Sequence, residues 1–208
     1  MTTTLGKLED VDMDMLEGWI NAGPKTFTLL YSATRDGCAA TTFHQKCDNQ
    51  GPTVTVLYNP QGSVYGGYTG QSWNGDAGYI NDPTAFLYQL KISGNEQRTK
   101  FPVDTSYTGN AVYSINNYGP TFGAGHTLHT FQTTINVSNG VYALNGSIYF
   151  GDGYYQMANV SPKVKSANDI NNGTMNVTEL EVYKVTGTCM HLICYKTLLI
   201  NFFLKSFA

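Results

Sequence analysis

The stretch Thr53–Thr69, TVTVLYNPQGSVYGGYT, decides the fold. Thr53 to Tyr58 is rich in β-branched residues and reads as a strand. Asn59-Pro60-Gln61-Gly62 is turn chemistry, with Pro in the second place and Gly in the fourth. Ser63 to Thr69 returns as a second strand, so the segment is a β-hairpin. Its paired glycines, Gly66 and Gly67, call for a bulge, or for a side chain or backbone packed closely over the strand.

Outward from the hairpin the same grammar repeats. Phe27 to Tyr31 alternates as a strand, Ser32 to Gly37 reads as a turn, and Cys38 to Cys47 reads as a short helix. Gln71 to Pro83 is a polar loop. Ala85 to Leu90 is apolar on both faces, which suits a central strand. Further strands are expected near Lys100–Val103, Leu128–Val137, Val141–Leu144, Ser147–Phe150 and Thr178–Val185. Before the first strand, Leu5, Leu8, Val11, Met15, Leu16 and Trp19 repeat every three to four residues, predicting an amphipathic helix over Leu5–Asn21. Ala22-Gly23-Pro24 stops it. Many short strands with helices near the start predict an α+β protein built on an antiparallel β-sandwich. No internal repeat or linker divides it.

Composition agrees and removes several classes. The 208 residues carry 12 Lys and Arg against 15 Asp and Glu, a net charge of −3 with no basic run, so no nucleic-acid partner is expected. Charged residues are 13% of the chain, about half the ~25% usual for globular proteins. Hydrophobic content of 41% is too high for a disordered chain. Four cysteines are too few for a disulfide-stapled scaffold. The N-terminal run lacks the basic start and unbroken apolar stretch of a secretory signal, so a cytoplasmic protein is expected. On that footing the Asn-x-Ser/Thr triplets at Asn136, Asn145, Asn159, Asn172 and Asn176 carry no modification. From Thr188 the chain turns apolar, but Lys196 and Asn201 interrupt it. The tail is expected to be a terminal element packing on the core, at a truncated or differently spliced end, rather than a membrane anchor. The chain thus divides into a helix at 1–23, a domain at 26–186 and an apolar tail at 187–208.

No catalytic, cofactor-binding or metal site is expected. The loop Gly119 to Thr127 has the glycines of a phosphate cradle but neither the spacing nor the Lys. Cys38, His44, Cys47 and Asp48 fall within eleven residues, yet only His44 and Cys47 are spaced to share a helix face, and no second Cys/His pair completes a zinc site. Buried thiols with a surface histidine are the expectation. His126 and His129 are three apart at the entry to a strand, which would set them on opposite faces. Asp76 and Asp82 lie in a loop without the ligand periodicity of a calcium site, and are read as a solvated turn. No Gly-x-Ser-x-Gly elbow is present.

Four stretches in order carry a family resemblance: Phe27–Trp73 (FTLLYSATRDGCAATTFHQKCDNQGPTVTVLYNPQGSVYGGYTGQSW), Asp82–Leu90 (DPTAFLYQL), Tyr118–Phe131 (YGPTFGAGHTLHTF) and Thr178–Val185 (TELEVYKV). Together the chain resembles the TLDc domain. The resemblance implies a sandwich of two antiparallel sheets with flanking helices, a non-enzymatic protein-interaction role, and no cofactor. It implies a part in oxidative-stress protection or in regulating the vacuolar proton-pumping ATPase, whose subunits would be the partners. Gly66, Gly67, Phe86, Gly123 and Val182 carry over as fold positions, with no catalytic residue among them. The segment His44–Asn59 is similar to interferon-induced proteins that join a TLDc-like region to a GTPase domain. Here no GTPase half follows Val185, so an alternative reading is a truncated immune-response protein. Two other readings come from the residues themselves. One is a carbohydrate-binding module, from the Tyr, Trp73, Asn and Gly content on a sandwich. The other is an antioxidant enzyme using Cys38 or Cys47.

Overall fold

The computed structural model describes residues 6–21, 23–149, 155–156 and 166–187. The expected tail from Thr188, with Cys189 and Cys194, lies outside the described residues, as do Phe150 and the Asn159 triplet.

Helix α1 spans Asp10–Ile20, with Asp10 and Asp12 in the first turn, where negative charge suits the helix dipole. It ends at Asn21, whose backbone takes φ 62° and whose N–H donates to the Glu17 carbonyl at 2.9 Å. It starts later than the apolar period predicts. The N–H of Lys7 donates to both carboxylate oxygens of Glu181, at 2.9 and 3.1 Å, and that of Leu8 to the Tyr183 hydroxyl at 3.2 Å. Those bonds hold the segment out of the helix.

Strand β1 (Lys25–Ser32) leads into a one-turn helix, α2 (Ala33–Asp36), where a plain turn was expected. The Ser32 side chain caps it by accepting from the Arg35 N–H. Cys38–Ala39 form a short strand, β2, and only Ala40–Cys47 are helical, as α3. The hairpin follows as read: β3 (Thr53–Tyr58) and β4 (Val64–Thr69), closed by a Gly62 N–H to Asn59 carbonyl bond of 3.1 Å, with Gly62 at φ 87°. The loop after it is not wholly irregular, because Gly78–Ile80 pair as β5. Strands β6 (Phe86–Ile92) and β7 (Asn95–Pro102) meet at Ser93-Gly94, both at positive φ, the backbone that a tight two-residue hairpin requires. A 3-10 turn at Thr105–Asn110 leads to β8 (Val112–Ser114), β9 (Thr121–Phe122) and β10 (Leu128–His129). Then come β11 (Thr134–Ile135), β12 (Val137–Ser138), β13 (Val141–Ala143) and β14 (Ser147–Ile148). Helix α4 (Asn168–Asn171), β15 (Asn176–Val177) and β16 (Glu179–Gly187) complete the described order.

The main sheet runs β1-β16-β3-β4-β6-β7 and is antiparallel throughout. A second antiparallel sheet runs β14-β10-β9-β8-β5. Two small sheets, β2-β11 and β12-β13-β15, flank them. The single strand expected over Leu128–Val137 is three pieces serving three sheets, and Thr133 at φ 58° makes the break between the first two. The protein is therefore α+β, built on antiparallel sheets, as expected.

The inner strands of the main sheet are buried on both faces. Leu57, Tyr65 and Leu87 face the core shared with Trp73, Phe122 and Leu128. Val54, Val56, Tyr68, Phe86 and Tyr88 face a second core, where Leu16 is fully buried and Trp19 packs. This is why Ala85 to Leu90 is apolar on both sides.

The glycine pair follows from the same geometry. A Cβ on Gly67 would sit 2.6 Å from the Phe122 ring, and one on Gly66 would land on the Thr55 carbonyl oxygen. Above Gly66 the Tyr88 hydroxyl donates to that same carbonyl at 2.7 Å. So Gly66 lets Tyr88 cross the sheet, and Gly67 lets the second sheet approach.

Candidate interaction surface

The cysteine–histidine cluster is a fastening. Cys38 and Cys47 are both free and buried. Burial pushes the Cys38 thiol up to about 12 and raises that of Cys47 further, so neither has the thiolate character that a reactive cysteine needs. His44 is not on the surface, as its sequence position suggested, but buried. Its Nδ1 lies 2.7 Å from Asp48 Oδ1, and its Nε2 lies 3.0 Å from the carbonyls of both Ile115 and Tyr118. Asp48 in turn accepts from the Gly75 N–H at 3.0 Å. One His–Asp pair at the C-terminal end of α3 therefore ties down two loops, 73–76 and 115–118.

The acidic loop divides. Asp76 is exposed and accepts from Asn116 Nδ2 at 2.6 Å. Asp82 is no solvated turn residue: it is 0% exposed and its carboxylate accepts four bonds. They come from Thr69 Oγ1 (2.8 Å), Gly70 N–H (2.7 Å), Thr84 N–H (2.9 Å) and Thr84 Oγ1 (2.6 Å). Trp73 is 1% exposed, donates its ring N–H to Thr53 Oγ1 at 2.8 Å, and packs edge-on against Phe43 and Phe122. It is a core residue and offers no face to a sugar. The loop Gly119 to Thr127 contributes β9 and a turn in which Gly123, at φ 83°, would crowd Thr127 if it carried a Cβ. Phe86 and Val182 are both fully buried, and Phe86 stacks on Tyr68 with ring centres 5.0 Å apart. The five carried-over fold positions are all packing positions.

What remains is a cluster of rings on the second sheet. Tyr79 comes from β5, Tyr113 from β8, Tyr118 from the turn held by His44, His126 from the turn before β10, and His129 from β10. Ring centres are 4.8 Å apart for Tyr79–Tyr113, 5.3 Å for Tyr113–Tyr118, 5.0 Å for Tyr113–His126, and 4.8 Å for Tyr118–His129. His126 and His129 are 5.4 Å apart, not on opposite faces as strand alternation would place them. The strand does not extend through His126, which sits in a turn at φ 55° with its N–H donating to the Gly123 carbonyl at 3.0 Å. That turn folds its ring back over His129.

Burial acts on both histidines of the cluster. Burial lowers His126 from its ordinary value. Burial, together with the neighbouring His126, lowers His129 to about 4, against a backbone hydrogen bond to Phe131 that works the other way. The Tyr79 hydroxyl donates to the Ala124 carbonyl at 2.9 Å, spanning from β5 to the glycine turn, while the residue stays 44% exposed. Tyr149, at the far end of this sheet, is also exposed. Exposed and half-buried tyrosines held in place by their neighbours are what protein contact surfaces are rich in. Sequence reasoning missed this cluster, because its members come from five separate segments.

Among the described residues no three His, Cys, Asp or Glu side chains converge as a metal cage, and no helix is long and apolar enough to cross a membrane. A family model described as the TLDc domain matches residues 13–186, taking in most of α1, strands β1 to β15 and all of β16 but its last residue. No curated protein matches the chain significantly.

Proposed function

The chain belongs to the TLDc domain family, and from that premise we propose that it is a non-catalytic protein-interaction module of the cytoplasm, with the ring cluster on the second sheet as its contact face. The observation that carries this reading is the set Tyr79, Tyr113, Tyr118 and His126: close-packed and partly open to solvent. Tyrosine offers a large rigid contact area with little rotamer entropy to lose on binding. The two buried thiols, both raised by burial, give no support to thiol-based antioxidant chemistry. By family resemblance the partner is a subunit of the vacuolar proton-pumping ATPase, and the cellular role is in regulating that pump or in protection against oxidative stress.

The test is retention of the full chain on immobilised, purified vacuolar ATPase subunits. The expected result is saturable binding that Tyr79→Ala and Tyr113→Ala together weaken by about tenfold or more, since the few anchoring residues of an interface, tyrosines prominent among them, cost over about 1 kcal/mol when truncated. No retention, or equal retention of the double variant, would overturn the reading.

A further inference from the structure

We propose that His126 and His129 form a two-imidazole site for a divalent transition metal of the zinc or copper type. Their ring centres are 5.4 Å apart, with planes inclined at 61°. Two imidazoles that share one metal at about 2.0–2.1 Å from their nitrogens place their ring centres roughly 5 to 5.5 Å apart. The rings are thus already near the spacing that bridging requires.

The second observation is at His129. The side chain is only 7% exposed, and its Nε2 is buried with no hydrogen-bond partner. A buried imidazole nitrogen without a partner is a position left open to a ligand. The groups lying against it are rings rather than charges, with Tyr118 at 4.8 Å and His126 at 5.4 Å. His126 stands on a turn at positive φ and is partly exposed, so it can admit an ion from solvent.

Nitrogen donors select transition metals over calcium or magnesium, which require oxygen ligands. No third His, Cys, Asp or Glu completes the set among the described residues, so water fills the remaining positions and copper(II) binds more tightly than zinc. The site lies within the proposed contact face but does not depend on that reading, because a metal titration needs no protein partner.

The experiment titrates Zn2+ into the full chain and follows the histidine ring signals by NMR. Cys189→Ser, His191→Gln and Cys194→Ser are introduced to remove competing donors. The His126 and His129 signals are expected to shift together, while the His44 signal stays, since both its nitrogens are bonded. His126→Gln, at a partly exposed turn position, should leave the circular dichroism spectrum unchanged and weaken Zn2+ binding by about tenfold or more, since removing a ligand costs at least as much as disturbing the groups that orient one. Unmoved His126 and His129 signals, or equal affinity in His126→Gln, would overturn the site. Loss of tyrosine-dependent partner binding with metal binding intact would instead count against the contact-face reading alone.

Discussion

Gly67 shows how much one missing side chain carries. The Phe122 ring from the second sheet occupies the space where a Cβ would stand, 2.6 Å away. Gly67→Ala should destabilise the fold by about 1–3 kcal/mol, the usual cost of overpacking. Gly66→Ala should cost more, because its obstacle is the Thr55 backbone, which cannot rotate aside. Denaturant unfolding of the two variants checks both the size and the order. His129 makes a second residue-scale prediction. Its folded value is lowered from 6.5 to about 4, so between those values the unfolded chain binds more protons than the folded one. Stability from this group is present above pH 6.5 and is lost as pH falls towards about 4. His129→Phe should flatten that part of a stability–pH curve. Glu181 acts in the opposite sense in the carboxylate range. Burial raises it, so its contribution is present at low pH and falls as pH rises through its folded value. The glycine pair was legible in the sequence, because two adjacent glycines in a strand demand a close neighbour. The histidine pair was not, because alternation assumes a strand that the turn at His126 interrupts.

Helix α1 illustrates the scale of elements. Its apolar period was plain, yet its start was not, since Lys7 and Leu8 are held by Glu181 and Tyr183 from the other end of the described chain. Local periodicity cannot register a bond across 174 residues. The helix covers the second face of the main sheet with Leu16 fully buried, Trp19 edge-on to Phe86 at 6.3 Å, and Lys100 Nζ donating to the Trp19 carbonyl at 2.7 Å. Leu16→Ala should therefore cost about 2–5 kcal/mol, the range for emptying a core leucine position. In hydrogen exchange, amides of Val54 to Val56 should lose protection if α1 is loosened. The β3-β4 hairpin was readable because six residues a side suffice to display a pattern, whereas β7 (Asn95–Pro102) opens with the polar run Asn95 to Arg98 and was expected only near Lys100–Val103. The two-residue strands β9 to β12 were not: they have no period, and their pairing is set by which sheet the chain has reached. The segment Leu128–Val137 reads as one strand only because nothing local announces the break at Thr133.

At the scale of the whole molecule, the inner strands of the main sheet are buried on both faces, which explains the scarcity of charge better than composition alone could. Strands β3, β4 and β6 have no solvent face on which to place Lys or Glu. The residues that do reach the surface as a group are tyrosines and a histidine drawn from positions 79, 113, 118 and 126, assembled by the β5-β8 and β9-β10 pairings. A contact face of that origin is invisible to linear motifs, whereas the family that builds it is not, since its glycine and strand positions recur in order. His44, which bonds the Ile115 and Tyr118 carbonyls, is the link between core and face. Its removal should disorder Tyr118 before it unfolds the sheet, to be seen as broadened Tyr118 ring signals in His44→Ala.

Hydrogen exchange of the full chain, alone and in complex with purified vacuolar ATPase subunits, tests the proposed contact face most directly. The expected footprint is slowed exchange over 78–80, 112–118 and 121–129, with the β12-β13 hairpin unchanged. Protection confined to that hairpin or to α1, or no protection anywhere, would contradict it.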